Sequence, residues 1–242
     1  MDYLEKKPKK ITPGGRRNLG SYNALFRGGT LLGGGLIKNE DKIYLTLSEE
    51  AYKAKDKRAP QVDEYLYDPA LSTDRTAVYF NPSTTSPQGN RLIIAHRGTQ
   101  ANLSDVKQDV QLAVQLRPSG RLDRAMLTVQ EALAKYPGYT LSQTGHSLGG
   151  YVASKLAREL PLENSKVVAF NVGSSPADLV EGVKNKAKCL FGKHSEYCKK
   201  LKNQRFYTTG LDPISLGAIL HAGESIVVRP EMANVHSLAN FK

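Results

Sequence analysis

A serine flanked by glycines, in the run Thr144-Gly145-His146-Ser147-Leu148-Gly149-Gly150, is the residue best suited to act as a nucleophile. Gly-x-Ser-x-Gly is typical of a nucleophile elbow, a sharp strand-to-helix turn that exposes the serine Oγ. Residues 140–144 resemble a short strand. Apolar residues at 148, 152, 156 and 160 share one helical face up to Pro161. Strand, elbow and helix in this order favour a nucleophilic Ser147 over a plain glycine-rich turn.

A serine hydroxyl needs a general base before it can attack, and in sheet-topped hydrolases the histidine follows the serine in the chain. Beyond Ser147 the candidates are His194, His221 and His236. His194 lies in a lysine-rich stretch typical of a solvated surface, and His221 fits a core or turn position. His236 follows the last predicted strand, where a loop can return it over the sheet edge, so we favour His236.

The carboxylate that orients the base has two candidates. Asp212 directly follows a predicted strand at 205–209, and carboxyl ends of strands are where α/β sheets bind ligands. Asp178 is the rival, although a carboxylate there could equally serve a helix N-terminus. We favour Asp212.

Oxyanion donors are expected from the amide that follows the nucleophile and from a loop after an earlier strand. The first is the amide of Leu148. The second is predicted at Thr99, which follows the strand at 91–95 and offers both an amide and a hydroxyl. A Gly-Thr turn without a role is the alternative for that loop.

The elements needed to position these groups alternate along the chain. Predicted strands lie at 77–80, 91–95, 140–144, 167–172, 205–209 and 226–228, and predicted helices at 49–58, 103–116, 122–136 and 148–160. Ser48 is the expected N-cap of the first helix. The alternation predicts an α/β fold with a mostly parallel central sheet and helices on both faces. We expect a basic, glycine-rich extension at 1–40 and a single domain at 41–242.

The motifs together resemble the class-3 lipase family, the fungal-lipase-like α/β-hydrolases. The resemblance rests on Ile93-Ile94-Ala95-His96-Arg97-Gly98-Thr99, the elbow, Asn171-Val172-Gly173-Ser174-Ser175-Pro176, Leu211-Asp212-Pro213-Ile214 and His236. It implies a triad of Ser147, Asp212 and His236, an oxyanion hole at Thr99 and Leu148, and hydrolysis of lipid acyl esters without cofactor or metal. His96 stands where the family usually has phenylalanine. A catalytically inactive scaffold that binds anionic membrane or nucleic acid is an alternative, as is an active thioesterase or acyltransferase.

The net charge is +11, and basic residues concentrate near the N-terminus and after residue 183. We expect the second group to contact an anionic membrane surface. Its members are Lys184, Lys186, Lys188, Lys193, Lys199, Lys200, Lys202 and Arg205. Nucleic acid is the less favoured partner, because no zinc finger, helix-turn-helix or aromatic-rich basic motif is present.

The cysteines and the chain start leave the compartment open. Cys189 and Cys198 could form a disulfide or remain thiols, and with one nearby histidine they do not resemble a zinc site. No apolar run is long enough to cross a bilayer, and the first ten residues lack the apolar core of a signal peptide.

Overall fold

The structure is a computed structural model that describes residues 35–82, 89–99, 119–160, 165–173, 176–191, 196–210, 212, 215, 223–232 and 234–242. The helices are α1 (Lys42–Glu50), α2 (Ser119–Lys135), α3 (Leu148–Glu159), α4 (Pro176–Phe191) and α5 (Glu196–Lys202). The strands are β1 (Gln61–Val62), β2 (Tyr65–Tyr67), β3 (Thr76–Asn81), β4 (Arg91–His96), β5 (Thr140–His146), β6 (Lys166–Phe170), β7 (Gln204–Thr209) and β8 (Glu224–Val228). The predicted helix at 103–116 lies outside the described residues.

The eight strands form one sheet in which neighbours in sequence are neighbours in space. Strands β1 to β4 pair antiparallel, and β4 to β8 pair parallel. The carboxyl ends of β4 to β8 therefore meet at one edge, which we call the carboxyl edge. The α/β-hydrolase fold with a mostly parallel sheet is confirmed.

Helices cover both faces of the sheet, as predicted. On one face α1 packs against alternate side chains of the central strands, including Ile93, Ala95 and Val168. On the other face α2 and α3 pack against the intervening side chains, such as Val78, Leu92 and Ile94. This alternation follows from the two-residue period of a strand and explains why the central strands are apolar on both faces.

The helix predicted at 49–58 is wrong, because the chain is helical earlier, at Lys42–Glu50. Ser48 does not cap a helix; it is buried in α1, where its Oγ lies 2.9 Å from Oγ1 of Thr144. The local capping signal was overridden by burial of the preceding apolar residues, Tyr44, Leu45 and Leu47, against the sheet.

The described part of the predicted extension, residues 35–40, contacts the sheet. The amide of Gly35 donates to the carbonyl of Val227 over 3.1 Å, and Nζ of Lys38 lies 2.8 Å from Oε1 of Glu224. Next along the chain, the buried Asp41 pairs with Lys166 and Arg205. These ion pairs hold the pKa of Asp41 below its usual value despite burial. The domain boundary at residue 40 stays a prediction.

Helices α4 and α5 are joined by a disulfide between Cys189 and Cys198. Helix α5 leads directly into the amino end of β7, so Lys199, Lys200 and Lys202 lie at the edge opposite the carboxyl edge. Nζ of Lys200 donates over 2.7 Å to the carbonyl of Leu160, at the distal end of α3. Arg205 is engaged by Asp41 and Glu224.

Among the eight basic residues, contact with an anionic membrane surface stays a prediction. Side chains of Lys186 and Lys193 lie outside the described residues. None of the described helices is both long and apolar enough to span a membrane.

Candidate active site

Ser147 occupies the turn between β5 and α3, where it adopts φ 57° and ψ −126°. This positive φ is strained for a residue with a side chain. Neighbouring backbone holds it: the Ser147 amide donates to the carbonyl of Phe170 over 3.0 Å, and its carbonyl accepts from Gly173 over 3.2 Å. A Cβ added at Gly149 would overlap the carbonyl of His96. Glycine there lets the start of α3 lie directly under the end of β4, as the elbow pattern predicts.

Asp212 and His236 lie together at the carboxyl edge. Nδ1 of His236 is 2.6 Å from Oδ2 of Asp212, and both side chains are at least nine-tenths buried. Since a carboxylate accepts, Nδ1 carries the hydrogen and Nε2 of neutral His236 keeps its lone pair. Oδ2 of Asp212 also accepts from the hydroxyl of Ser215, which in turn lies 2.8 Å from Oγ1 of Thr208.

The segment that contains His236 is hydrogen-bonded to residues at the ends of β6 and β7. The carbonyl of Val235 accepts from Nδ2 of Asn171 over 3.1 Å and from Oγ1 of Thr209 over 2.5 Å. Asn171 has a φ of 41°, and its Oδ1 accepts from the Thr209 amide over 2.9 Å. Asn171 therefore ties two strand ends and the histidine segment to each other.

The predicted oxyanion donors lie beside the serine. Leu148 is the first residue of α3, so its amide has no acceptor inside the helix. A Cβ added at Gly98 would lie 3.3 Å from Cβ of Ser147, so the segment leading into Thr99 passes directly by the nucleophile. Oγ1 of Thr99 is buried and has no hydrogen-bond partner among the described residues.

His146, which precedes the nucleophile, connects the two sides of the site. Its Nε2 lies 2.7 Å from the carbonyl of His236, and its Nδ1 lies 2.8 Å from the hydroxyl of Tyr52. Because a carbonyl only accepts, Nε2 carries the hydrogen and Nδ1 accepts from Tyr52. Burial and the neighbouring His236 lower the pKa of His146 to about 3, so its ring is neutral. The Tyr52 oxygen also accepts from the amide of Gly98, next to Thr99.

Two buried polar atoms of the predicted triad have no hydrogen-bond partner within the described part of the chain. They are Oγ of Ser147 and Nε2 of His236. The structure thus joins Asp212 to His236 by a hydrogen bond and does not place one between His236 and Ser147. Such contacts in ligand-free hydrolases are often long and tighten only with substrate.

Sequence reasoning did not assign roles to Tyr52, His146, Asn171 or Ser215. Asn171 stood in a motif that carried the resemblance, and His146 adjoins the nucleophile. Tyr52 gave no signal, because it follows α1 and reaches the site only through tertiary packing. Of the rejected candidates, His194 and His221 lie outside the described residues, and of Asp178 only its place in α4 is described. Within the described ranges no cluster of residues could hold a metal ion.

Sequence comparison finds similarity to the Mbeg1-like family over residues 54–167. The prediction of a class-3 lipase-like family is confirmed by this match to a lipase-like family. The matched range contains Thr99, Ser147 and Leu148 and ends before Asp212 and His236. No curated protein gives a significant match.

Several solved structures have related folds. One is described as a triacylglycerol lipase whose catalytic centre is a serine-protease triad; identity is 19%, coverage 70% of this chain and 69% of that chain, and the TM-score 0.45. A mutant of MDLA from Penicillium cyclopium has 18% identity, coverage of 86% and 87%, and a TM-score of 0.49. A lipase–propeptide complex from Rhizomucor miehei has 19% identity, coverage of 72% and 62%, and a TM-score of 0.44.

Proposed function

We propose that this chain, a class-3 lipase-like protein with an α/β-hydrolase fold, is a serine hydrolase that cleaves acyl esters of lipids. The observation that carries the proposal is the pairing of a strained elbow serine with a buried histidine–aspartate hydrogen bond at the same sheet edge. Both remaining reactive atoms, Oγ of Ser147 and Nε2 of His236, are without partners among the described residues, so neither is committed to a structural role.

In this mechanism His236 Nε2 removes the proton from Ser147 as Oγ attacks the ester carbonyl carbon. Asp212 holds the imidazole in the required tautomer and stabilises the imidazolium that forms. The amides of Leu148 and Thr99 stabilise the negative charge on the carbonyl oxygen. The imidazolium then protonates the departing alkoxide, which leaves an acyl group on Ser147. Water, activated by the same histidine, releases the fatty acid and restores the serine.

Covalent labelling tests the proposal directly. We expect a fluorophosphonate to add one adduct to the native protein, measured by intact mass, and none to Ser147→Ala. Asp212→Asn should fold but label about 10³- to 10⁴-fold more slowly, because the histidine loses its tautomer and its partner charge. Circular dichroism of each variant is the control for folding. A folded native protein that takes no adduct, or one labelled equally after Ser147→Ala, would contradict the proposal.

We further propose that α4 contacts the anionic surface on which such esters are found. Val180, Val183, Lys184 and Lys188 are all exposed, and their spacing of three and four residues places them on one side of the helix. Exposed apolar and cationic side chains on one helical face are typical of binding at a membrane interface. Helix α4 follows the carboxyl end of β6, so it begins at the edge that carries the candidate site.

A further inference from the structure

A cavity of about 390 Å³ opens at the carboxyl edge on the face covered by α2 and α3. Its base is formed by the buried His96 and by Val152. One wall is the turn before β3, at 73–76, and the other is the first part of α2. Nε2 of His96 donates a hydrogen bond over 3.0 Å to Oε1 of Gln143, and burial lowers the pKa of His96 to about 4. A neutral polar ring therefore forms part of the base of the cavity.

Three arginines line this cavity: Arg75, Arg121 and Arg124. The one carboxylate among its described lining residues is Asp74. No ion pair joins any of the three arginines to a carboxylate within the described ranges. Burial and the charges of its arginine neighbours lower the pKa of the Arg121 guanidinium to about 10. Positive charge is thus concentrated in a concave site, which attracts anions.

Two further features add to the positive potential. The cavity adjoins the N-terminus of α2, a 17-residue helix whose first amides have no intrahelical acceptor. Nε of the neighbouring Arg97 is buried and has no partner among the residues described. Cations at a helix N-terminus are unfavourable unless an anion offsets them.

The cavity is connected to the nucleophile by a short stretch of backbone. Nη2 of Arg121 donates to the carbonyl of Arg97. The next residue, Gly98, is the one whose added Cβ would lie 3.3 Å from Cβ of Ser147. Adding standard bond lengths along this path puts the Arg121 guanidinium within roughly 11 Å of Ser147. A glycerol unit can link an ester carbonyl to an anionic group over such a distance.

We propose that this cavity binds the phosphate group of an acyl-ester substrate, so that the preferred esters are acylated glycerol phosphates. Guanidinium groups bind phosphate oxygens through paired hydrogen bonds, which favours phosphate over a neutral headgroup. The inference rests on the proposed hydrolysis at Ser147 and specifies which lipids reach it.

A pair of substrates that differ only in the phosphate tests this inference. We compare kcat/KM for a monoacylglycerol and for its phosphate monoester with the same acyl chain, both below their micellar concentrations. The native protein should prefer the phosphate monoester. In Arg75→Gln/Arg124→Gln the preference should fall at least about tenfold, since two charged contacts are lost. Both side chains are exposed, so we expect the variant to fold.

Matched variants separate this effect from a general change of charge. Arg229→Gln makes the same substitution at an exposed arginine beyond β8, four strands from β4, and should leave the preference unchanged. Asp74→Asn removes the carboxylate of the cavity and should increase the preference for phosphate. Equal kcat/KM for both native substrates, or an equal loss in Arg229→Gln, would overturn the inference.

Binding measurements keep the inference testable if the protein does not hydrolyse esters. Ser147→Ala, with and without the two arginine substitutions, is titrated calorimetrically with the phosphate monoester and with inorganic phosphate. Arginine-dependent binding of the lipid that is much tighter than that of inorganic phosphate supports the lipid headgroup as ligand even without activity. Binding of inorganic phosphate alone, or lipid binding that does not depend on the arginines, would contradict it.

Discussion

The hydroxyl of Tyr52 connects the oxyanion side of the candidate site to the histidine side by hydrogen bonds. Its hydroxyl accepts from Gly98, on the oxyanion side, and donates to His146, which holds the carbonyl of His236. Burial raises the pKa of Tyr52, so the hydroxyl remains protonated and able to donate at neutral pH. Both the oxyanion segment and the base should therefore depend on this one oxygen.

We expect Tyr52→Phe to lower kcat about tenfold with little change in KM. The substitution leaves the Gly98 amide and Nδ1 of His146 unpaired, and each loss affects groups that act in the transition state. Steady-state kinetics with esters of the same acyl-chain length measures kcat and KM separately for each variant. Tyr44→Phe is the matched control, because it also removes one buried hydroxyl, 3.2 Å from Oγ of Ser142, at the opposite end of β5. Equal losses of kcat in the two variants would show that Tyr52 acts on stability alone.

At this scale the sequence offered signals for the residues proposed to perform chemistry but not for those that position them. Ser147 has a local pattern, and Asp212 and His236 were predicted from chain order and strand ends. The structure brings that aspartate and histidine into hydrogen-bonding contact. Ser215 and Tyr52 could not be found, because their partners are set by three-dimensional packing, and neither residue type is unusual where it stands.

Among the helices, α4 and α5 each expose lysine side chains. Lys184 and Lys188 are exposed on α4, which starts at the carboxyl edge. Lys199 and Lys202 are exposed on α5, which ends at the amino end of β7. The two pairs carry the same charge on different helices, although Nζ of Lys188 lies 5.8 Å from the ring centroid of Tyr197 in α5. Comparing them therefore tests the exposed face of α4 against an equal change of net charge.

We expect Lys184→Gln/Lys188→Gln to weaken binding to vesicles rich in anionic phospholipid about 10- to 30-fold, at roughly 1 kcal/mol for each lysine near the surface. Lys199→Gln/Lys202→Gln should weaken it much less, although the net charge changes equally. Vesicle sedimentation at two salt concentrations measures both. If the two double variants lose equal affinity for the vesicles, binding depends on the net charge of the protein and α4 has no particular role.

The elements themselves were predicted unevenly. The amphipathic stripe from Leu122 to Tyr136 and the apolar strand near Val168 correspond to α2 and β6, because their hydrophobic period matches the surface they bury. The two-residue β1 and the three-residue β2 were missed, since strands this short have no measurable period. The first helix was misplaced because Ser48, a favourable cap in isolation, gains more by hydrogen bonding to Thr144 inside the core.

For the whole molecule, the neutral buried histidines make stability dependent on pH. The pKa of His96 is lowered to about 4 by burial, whereas an unfolded histidine titrates near 6.5. Between these values the unfolded chain binds more protons than the folded protein, so acidification favours unfolding. Stability is therefore complete above about pH 6.5 and is lost progressively down to about pH 4, by on the order of 3 kcal/mol for this residue.

We expect His96→Gln to reduce the slope of unfolding free energy against pH between 6.5 and 4. Glutamine can still bond to Gln143 but does not titrate, so any constant loss from imperfect packing does not affect the slope. Urea denaturation at closely spaced pH values measures it. An unchanged slope would mean that His96 is protonated in the folded protein.

The sequential order of the strands also sets when the site can exist during synthesis. From β4 onward each strand pairs with the strand made just before it, so the sheet can grow at one edge as the chain emerges. The serine arrives with β5, and the proposed base arrives about ninety residues later. At about 5–20 residues per second this interval is roughly 4 to 18 s. During that time the nascent chain carries an elbow serine without the proposed base, so the proposed hydrolysis requires that β8 and the segment after it have been made.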